Sequence, residues 1–226
     1  MKARKEDIVV YTALSGGHDR LRDNQEDEGV RFVCFSDVTH KTQVWETIPI
    51  ELDFGDFNRS AKYYKMMPHV LFPDVKYSLW MDSSIHIKHP IDQIIEECMG
   101  ENDLMLHKHY ARKCIYEEAE YCIEKKLDDV DVIRAQMQQY REEGYPENNG
   151  LPEAGVLLRK HTPEMQKFNE LWWQEVLSHS KRDQLSFGYL ARKHGLKFGY
   201  FPGSFRDSDY PYFLWTPQIR QVMRCA

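Results

Sequence analysis

The sequence predicts an α/β domain, a sheet flanked by helices, and three observations carry that prediction. Short β-branched runs alternate with segments of helical periodicity. Several of these runs stop on a glycine or an aspartate, as a buried strand does at a tight turn. The chain has 226 residues, 42% hydrophobic and 29% charged, enough for one core without metal or disulfide staples. No repeat, low-complexity stretch or Pro/Gly/Ser-rich linker divides it, so residues 1–226 read as a single domain.

In chain order, Ile8 to Leu14 is a buried strand ended by Ser15-Gly16-Gly17, and Arg31 to Asp37 is a strand that ends on a carboxylate. Val44 to Ile50 is a third. Asn58 to Val70 is helical, with Ala61 and Tyr64 on one side and Arg59, Lys62 and Lys65 on another. Val75 to Met81 is a central strand that delivers Asp82, and a short apolar strand follows it. Tyr116–Lys126 and Asp129–Glu143 are charged helices, the second stopped by Gly144-Tyr145-Pro146. A loop through Glu147–Pro152 and Glu153-Ala154-Gly155 leads to a short strand, Val156–Arg159. Thr162-Pro163-Glu164 starts a helix with a hydroxyl cap, a proline at the first position and an acid in the first turn. Its apolar stripe is Met165, Phe168, Trp172 and Val176. Another helix begins at Ser180–Asp183 and ends at Gly195, and Leu196–Phe201 is the last strand. In an open sheet of this kind ligands sit at the carboxyl ends of the strands, which puts Gly16, Asp37 and Asp82 on that edge.

A net charge of -6 and a pI near 5.9 exclude a general attraction to nucleic acid or anionic lipid. Mean hydropathy is -0.66, and no apolar run approaches the ~18 residues of a membrane span. The start lacks the apolar stretch of a signal peptide, so a cytoplasmic location is expected, with peripheral membrane contact left open. Cys34, Cys98, Cys114, Cys122 and Cys225 are odd in number and lack CxxC spacing, so they are read as reduced.

Three constellations carry candidate chemistry. In Trp80-Met81-Asp82-Ser83-Ser84-Ile85 a carboxylate at the end of a buried strand can face a metal-bound diphosphate, or simply cap a turn. In the second, Glu153 precedes Gly155, which permits close approach of a ligand, and Arg182-Asp183-Gln184 follows the Trp172-Trp173 helix. Taken alone, Glu153 reads first as a solvated loop carboxylate. Ser180-x-x-Asp183 has capping-box spacing, so Asp183 taken alone reads first as a helix-start acid. The third, His107 to Glu118, concentrates imidazole, cation, phenol and carboxylate on a loop entering a helix and suits a polar or phosphorylated ligand. A zinc site from His86, His89, His107 and His109 can be drawn but matches no standard spacing. Arg59, Lys62 and Lys65 either face an anionic diphosphate or form a solvated basic face.

Taken in order, these pieces resemble the glycosyltransferase-like domain shared by plant pollen-turgor and seed-mucilage proteins and bacterial polysaccharide-locus proteins. The matching pieces are Val10–Leu14 with Gly16-Gly17 and Asp19; Phe32–Asp37; Arg59-x-x-Lys62-x-x-Lys65-x-x-Pro68-His69; and Trp80–Ile85. They continue with His109-x-x-Arg112-x-Cys114-x-Tyr116-Glu117-Glu118, Glu153-x-Gly155-Val156, Trp172-Trp173 and Arg182–Phe187, over roughly residues 8–205. The resemblance implies a GT-A type, Rossmann-like mixed sheet, a nucleotide-sugar donor and a glycan or other hydroxyl acceptor, in polysaccharide or glycoconjugate synthesis. It puts Ser15, Gly16 and Asp37 near the nucleoside, Arg59, Lys62 and Lys65 near the diphosphate, and His109 and Arg112 among the donor-binding residues. Asp82 falls at the metal or donor sugar, and Asp183 and then Glu153 are the candidates for the base. The usual Asp-any-Asp signature is here Asp82-Ser83-Ser84, so a divalent cation (Mn or Mg) competes with Arg/Lys neutralisation of the leaving group. Two rivals stand beside transfer: a relative that binds nucleotide or glycan without reaction, and a metal-dependent hydrolase.

Overall fold

Strand β1 (Ile8–Leu14) is buried along its whole length, as its unbroken apolar run requires. It pairs in parallel with β2 (Arg31–Ser36) on one side and β4 (Tyr77–Met81) on the other. The computed structural model describes residues 3–16, 20–23, 25 and 27–216. Gly17, Asp19 and Cys225, which the sequence reading uses, lie outside the described residues. With β3 (Glu46–Pro49), β6 (Leu104–Lys108), β7 (Pro152–Lys160) and β8 (Phe198–Tyr200), the sheet has the order β3-β2-β1-β4-β7-β6-β8. Only β7 runs against its neighbours β4 and β6. A two-stranded ribbon, β5 (Ile85–Ile87) with β9 (Phe213–Trp215), lies apart from it. This is the mixed α/β sheet flanked by helices that the sequence leads one to expect.

The helices are α1 (Phe57–Met66), α2 (Pro68–Leu71), α3 (Ile91–Cys98), α4 (Ile115–Glu124), α5 (Val130–Glu142), α6 (Pro163–Ser178) and α7 (Asp183–His194). One face of the sheet packs Tyr11, Val33 and Trp80 against Tyr64, Ile115, Ile133, Trp172 and Phe187 from α1 and α4 to α7. The other packs Val10, Leu79 and Val156 against Ile94 of α3 and Phe201, Phe205 and Phe213 of the last described segment. The stripe Met165, Phe168, Trp172 and Val176 is buried as its spacing predicts, and the Thr162 side chain accepts the amide of Met165. Gly195 takes a φ of 63° and ends α7, a left-handed cap that favours glycine.

Several boundaries differ from the sequence reading, and five of them bear on the site or its frame. The third strand begins at Glu46, not Val44, because the amides of Val44 and Trp45 bond to the Thr42 hydroxyl. The helix expected over residues 58–70 breaks at Met67, since Pro68 has no N–H to continue it. His107 is in strand β6 rather than in a loop. The strand expected to begin at Val156 begins at Pro152, so Glu153 and Gly155 are inside β7. Finally, the strand over residues 196–201 is shorter and β9 follows it. Among the described residues no helix is long and apolar enough to cross a membrane.

Candidate functional site

Because β7 alone is reversed, its first residues stand at the same edge as the carboxyl ends of β1, β2, β4 and β6. The amide of Asp82 bonds to the carbonyl of Gly155 at 2.9 Å, which brings the end of β4 against the beginning of β7. A Cβ on Gly155 would lie 3.4 Å from Asp82 Oδ2 and 3.5 Å from the Phe205 ring, so the close approach expected of a ligand is occupied by these two residues. Asp82 itself stays exposed at the edge, and its Oδ1 accepts the Trp80 indole N–H at 3.0 Å. Desolvation by the protein around it pushes its carboxyl up, against the pull of Lys65.

Helix α1 turns Lys62 and Lys65 toward the start of α7, where both ammonium groups meet Asp183: Nζ of Lys62 at 2.8 Å from Oδ1, Nζ of Lys65 at 2.7 Å from Oδ2. All three side chains are at least 88% buried. Burial alone would raise the Asp183 carboxyl, but the two cations overwhelm it and hold the group well below the usual carboxylate range. Burial pulls the Lys62 ammonium down to about 8 despite Asp183. The capping reading of Asp183 is corrected here. The residue is the first of α7, its N-cap is Arg182, and the hydroxyl of Ser180 is bonded to Asp128 at 2.7 Å and to the amide of Arg182. Arg182 also acts on Lys62, and its buried Nε has no hydrogen-bond partner among the described residues. Three cations thus face the paired Asp183, and donors are left over.

Glu153 has a different setting. Register puts it opposite His107 of β6, and its carboxylate pairs with the guanidinium of Arg206. Here desolvation wins, with Asp82 adding to it, and the Glu153 carboxyl is pushed up to about 7. His107, packed between Phe201 and Phe205 and bonded to the Tyr210 hydroxyl at 3.1 Å, is driven down to about 3 by burial and stays neutral. Behind Glu153, Arg112 pairs with buried Glu118, and the ring Nδ1 of His109 accepts the amides of Ala111 and Arg112. The His109 amide bonds to the carbonyl of Leu151, tying this loop to the start of β7. His109 and Arg112 therefore lie on the Glu153 side of the edge.

At the far end of the edge, the hydroxyl of Ser15 donates to the carbonyl of Phe57 at 2.6 Å and the amide of Gly16 donates to Asp37 at 2.5 Å. Gly16 has a φ of 75°, a conformation that favours glycine. These contacts join the ends of β1 and β2 to the start of α1. Arg59 is separate: its guanidinium donates to the carbonyls of Val176 and His179, satisfying the C-terminal end of α6.

A divalent cation of the magnesium or calcium kind takes six or more oxygen ligands, so a protein-held one needs several converging donors. Asp82 gives one carboxylate, half of it committed to Trp80, and Ser84 stands where a second acid is expected. Among the described residues no three His, Cys, Asp or Glu side chains converge, the drawn histidine site included, and the charges of Lys62 and Lys65 act on both Asp82 and Asp183. These groups do not build an all-protein cage for an ion; a magnesium-type ion held by one carboxylate together with substrate phosphates would rely on Asp82. Cys34, Cys98, Cys114 and Cys122 are free thiols.

The sequence reading missed Arg206, Phe205 and Trp215. They lie past the last expected strand in a stretch with no periodicity, and only the return of the chain through β9 brings them to the site.

The sequence model of the "TOD1/MUCI70, glycosyltransferase-like domain" matches residues 1–210. An Arabidopsis thaliana protein described as "Probable hexosyltransferase MUCI70" is 29% identical, over 92% of this chain and 41% of its own length. A second, "Alkaline ceramidase TOD1" from the same plant, is 26% identical over 81% of this chain and 48% of its own. The chain therefore spans less than half the length of either relative. Among solved structures, mouse xyloside xylosyltransferase 1 superposes with a TM-score of 0.49 at 12% identity, over 86% of this chain and 84% of that one. The sequence match covers the whole seven-stranded sheet and stops short of β9, and on that ground the chain belongs to the TOD1/MUCI70 glycosyltransferase-like domain family.

Proposed function

We propose that this domain moves a sugar from a nucleotide-sugar donor to a hydroxyl of a glycan or other acceptor. One observation supports this above the rest: a group of cations with spare donors and a carboxyl pushed up to about 7 share one sheet edge, with Asp82 next to both. In this reading the nucleoside lies toward Ser15, Gly16 and Asp37, and the diphosphate lies on Lys62, Lys65 and Arg182. Each lysine ammonium carries three N–H donors and gives one to Asp183, so two remain for phosphate oxygens. The negative charge that grows on the leaving diphosphate is neutralised there without a divalent cation. Arg59, committed to the end of α6, has no part.

The sequence ranks Asp183 first as base, and the geometry supports the reverse order. A carboxylate held by two ammonium groups has little affinity for a proton, whereas one near 7 is matched to take it from a hydroxyl at neutral pH. In the proposed step the acceptor oxygen bonds to the anomeric carbon as the bond to the diphosphate oxygen breaks, and the hydroxyl proton passes to Glu153. A single displacement of this kind inverts the anomeric centre.

A thermal-shift and turnover screen of nucleoside diphosphates and nucleotide sugars tests the proposal. A nucleoside diphosphate that raises the melting temperature, together with consumption of its sugar conjugate, is the expected result. Binding with no turnover favours the non-transferring relative. Cleavage of a ceramide amide without nucleotide binding favours a hydrolase, the activity by which one of the two plant relatives is named.

A further inference from the structure

Arg206 is held as few surface arginines are. Its guanidinium carbon lies 4.3 Å from the centroid of the Tyr110 ring and 4.9 Å from those of Phe205 and Trp215, while one terminal nitrogen pairs with Glu153. The other terminal nitrogen, Nη1, is buried and has no hydrogen-bond partner among the described residues. Two of the three rings are open to solvent: Tyr110 is 65% and Trp215 39% exposed. They stand on unrelated segments, the loop after β6 and strand β9, and meet only over Arg206. An exposed aromatic rim around a fixed guanidinium with an unused N–H suits one chemistry in particular. A pyranose has C–H faces that pack on aromatic rings and hydroxyls that accept from a guanidinium.

The charge at this rim narrows the class. Arg206 is already paired with Glu153 and Arg112 with Glu118, and Asp82 and Glu118 both act on Glu153. A sugar carboxylate brought to the rim would have to compete with Glu153 for the Arg206 guanidinium, whereas a neutral hydroxyl would not.

We propose that Tyr110, Trp215 and Arg206 form the acceptor subsite, and that it takes the terminal ring of a neutral glycan. The inference rests on the glycosyl-transfer reading and gives that site an acceptor class. Arg206 is then also a positioning residue: it holds the Glu153 carboxyl beside the hydroxyl whose proton Glu153 takes.

The test is binding of the whole protein, with UDP or whichever nucleoside diphosphate the screen selects, to an array of neutral gluco-, manno-, xylo- and galacto-oligosaccharides beside oligogalacturonides. We expect at least one neutral series to bind and the acidic series to bind at least about tenfold more weakly. Trp215→Ala and Tyr110→Ala should each weaken the neutral ligand about tenfold or more while leaving nucleotide affinity unchanged. Arg206→Lys keeps the charge but loses the planar fork. It should weaken acceptor binding and move the midpoint of the pH profile of transfer, a readout that a merely structural role would leave in place. No binding by any neutral oligosaccharide, a preference for the acidic series, or unchanged affinity in both aromatic variants overturns the proposal while nucleotide binding stands. Failure of every nucleoside diphosphate to bind would instead remove the transfer reading on which it rests.

Discussion

Asp183 and Glu153 lie at one sheet edge, Asp183 buried and Glu153 largely so, and Asp82 neighbours each, yet their carboxyls are driven in opposite directions. Asp183 meets two ammonium groups on one helix face, Glu153 meets one guanidinium and two other carboxylates, and that difference decides the sign. Burial depth alone therefore says little about what an acid can do. The number and sign of the charges facing it separate an anchor from a proton acceptor.

The comparison breaks most sharply at Glu153. Glu153→Gln should lower transfer about 100- to 10,000-fold, the usual cost of losing a general base, with donor affinity unchanged. In the native enzyme the rate should fall as pH drops below about 7, where Glu153 becomes protonated, and this limb should vanish in the variant. Near-normal turnover in Glu153→Gln would return the base role to Asp183.

Asp183→Asn should instead damage the fold. Removing one partner of a buried ion pair costs about 3–5 kcal/mol, and here two lysines are left facing an amide. Urea titration reads the loss. A silent variant would mean that the two lysines do not depend on the Asp183 charge and that the residue only starts α7.

Lys62→Met should weaken binding of nucleoside diphosphate about tenfold, one charge-assisted hydrogen bond being worth about 1.5–3 kcal/mol, and should spare the free nucleoside. Arg59→Met should affect neither ligand beyond what the fraying end of α6 transmits. Equal loss of both ligands in Lys62→Met would put the diphosphate elsewhere.

Smaller still is the pH dependence of stability, in which the two acids act with opposite sign. Glu153 is raised from 4.5 to about 7, so its contribution is full below pH 4.5 and is lost as pH rises through 7. Asp183 is lowered, so its contribution is full above its ordinary value of 3.8 and is lost only as pH falls below that. Between pH 5 and 8 the native protein should lose stability that Glu153→Gln retains, and parallel curves would show that Glu153 is not raised. The smallest effect is expected from chelation. Addition of EDTA should leave turnover within about twofold, since Lys62, Lys65 and Arg182 carry the leaving-group charge in this reading. Abolished activity restored by manganese would overturn it.

How much of this was legible beforehand differs along the chain. The parallel half of the sheet follows from β-branched runs, and α6 and α7 follow from a hydroxyl cap and a left-handed glycine, because backbone sterics and local hydrogen bonds act within a few residues. The order of the pieces that carry Asp37, Lys62, Asp82 and Asp183 also allowed the family to be named from sequence. The reversal of β7 was not legible, since the run 152–160 reads the same in either direction, and that reversal is what carries Glu153 to the edge where Asp82 ends. The ionisation of Glu153, the ion pairs of Asp183 and the place of Arg206 depend on side chains 53 to 121 residues apart in sequence, brought together only by packing. The sequence by itself determined which segments are strands and helices and which acids end them. The tertiary structure decided which charges face each acid, because a carboxyl's proton affinity answers to neighbours in space and not to neighbours along the chain.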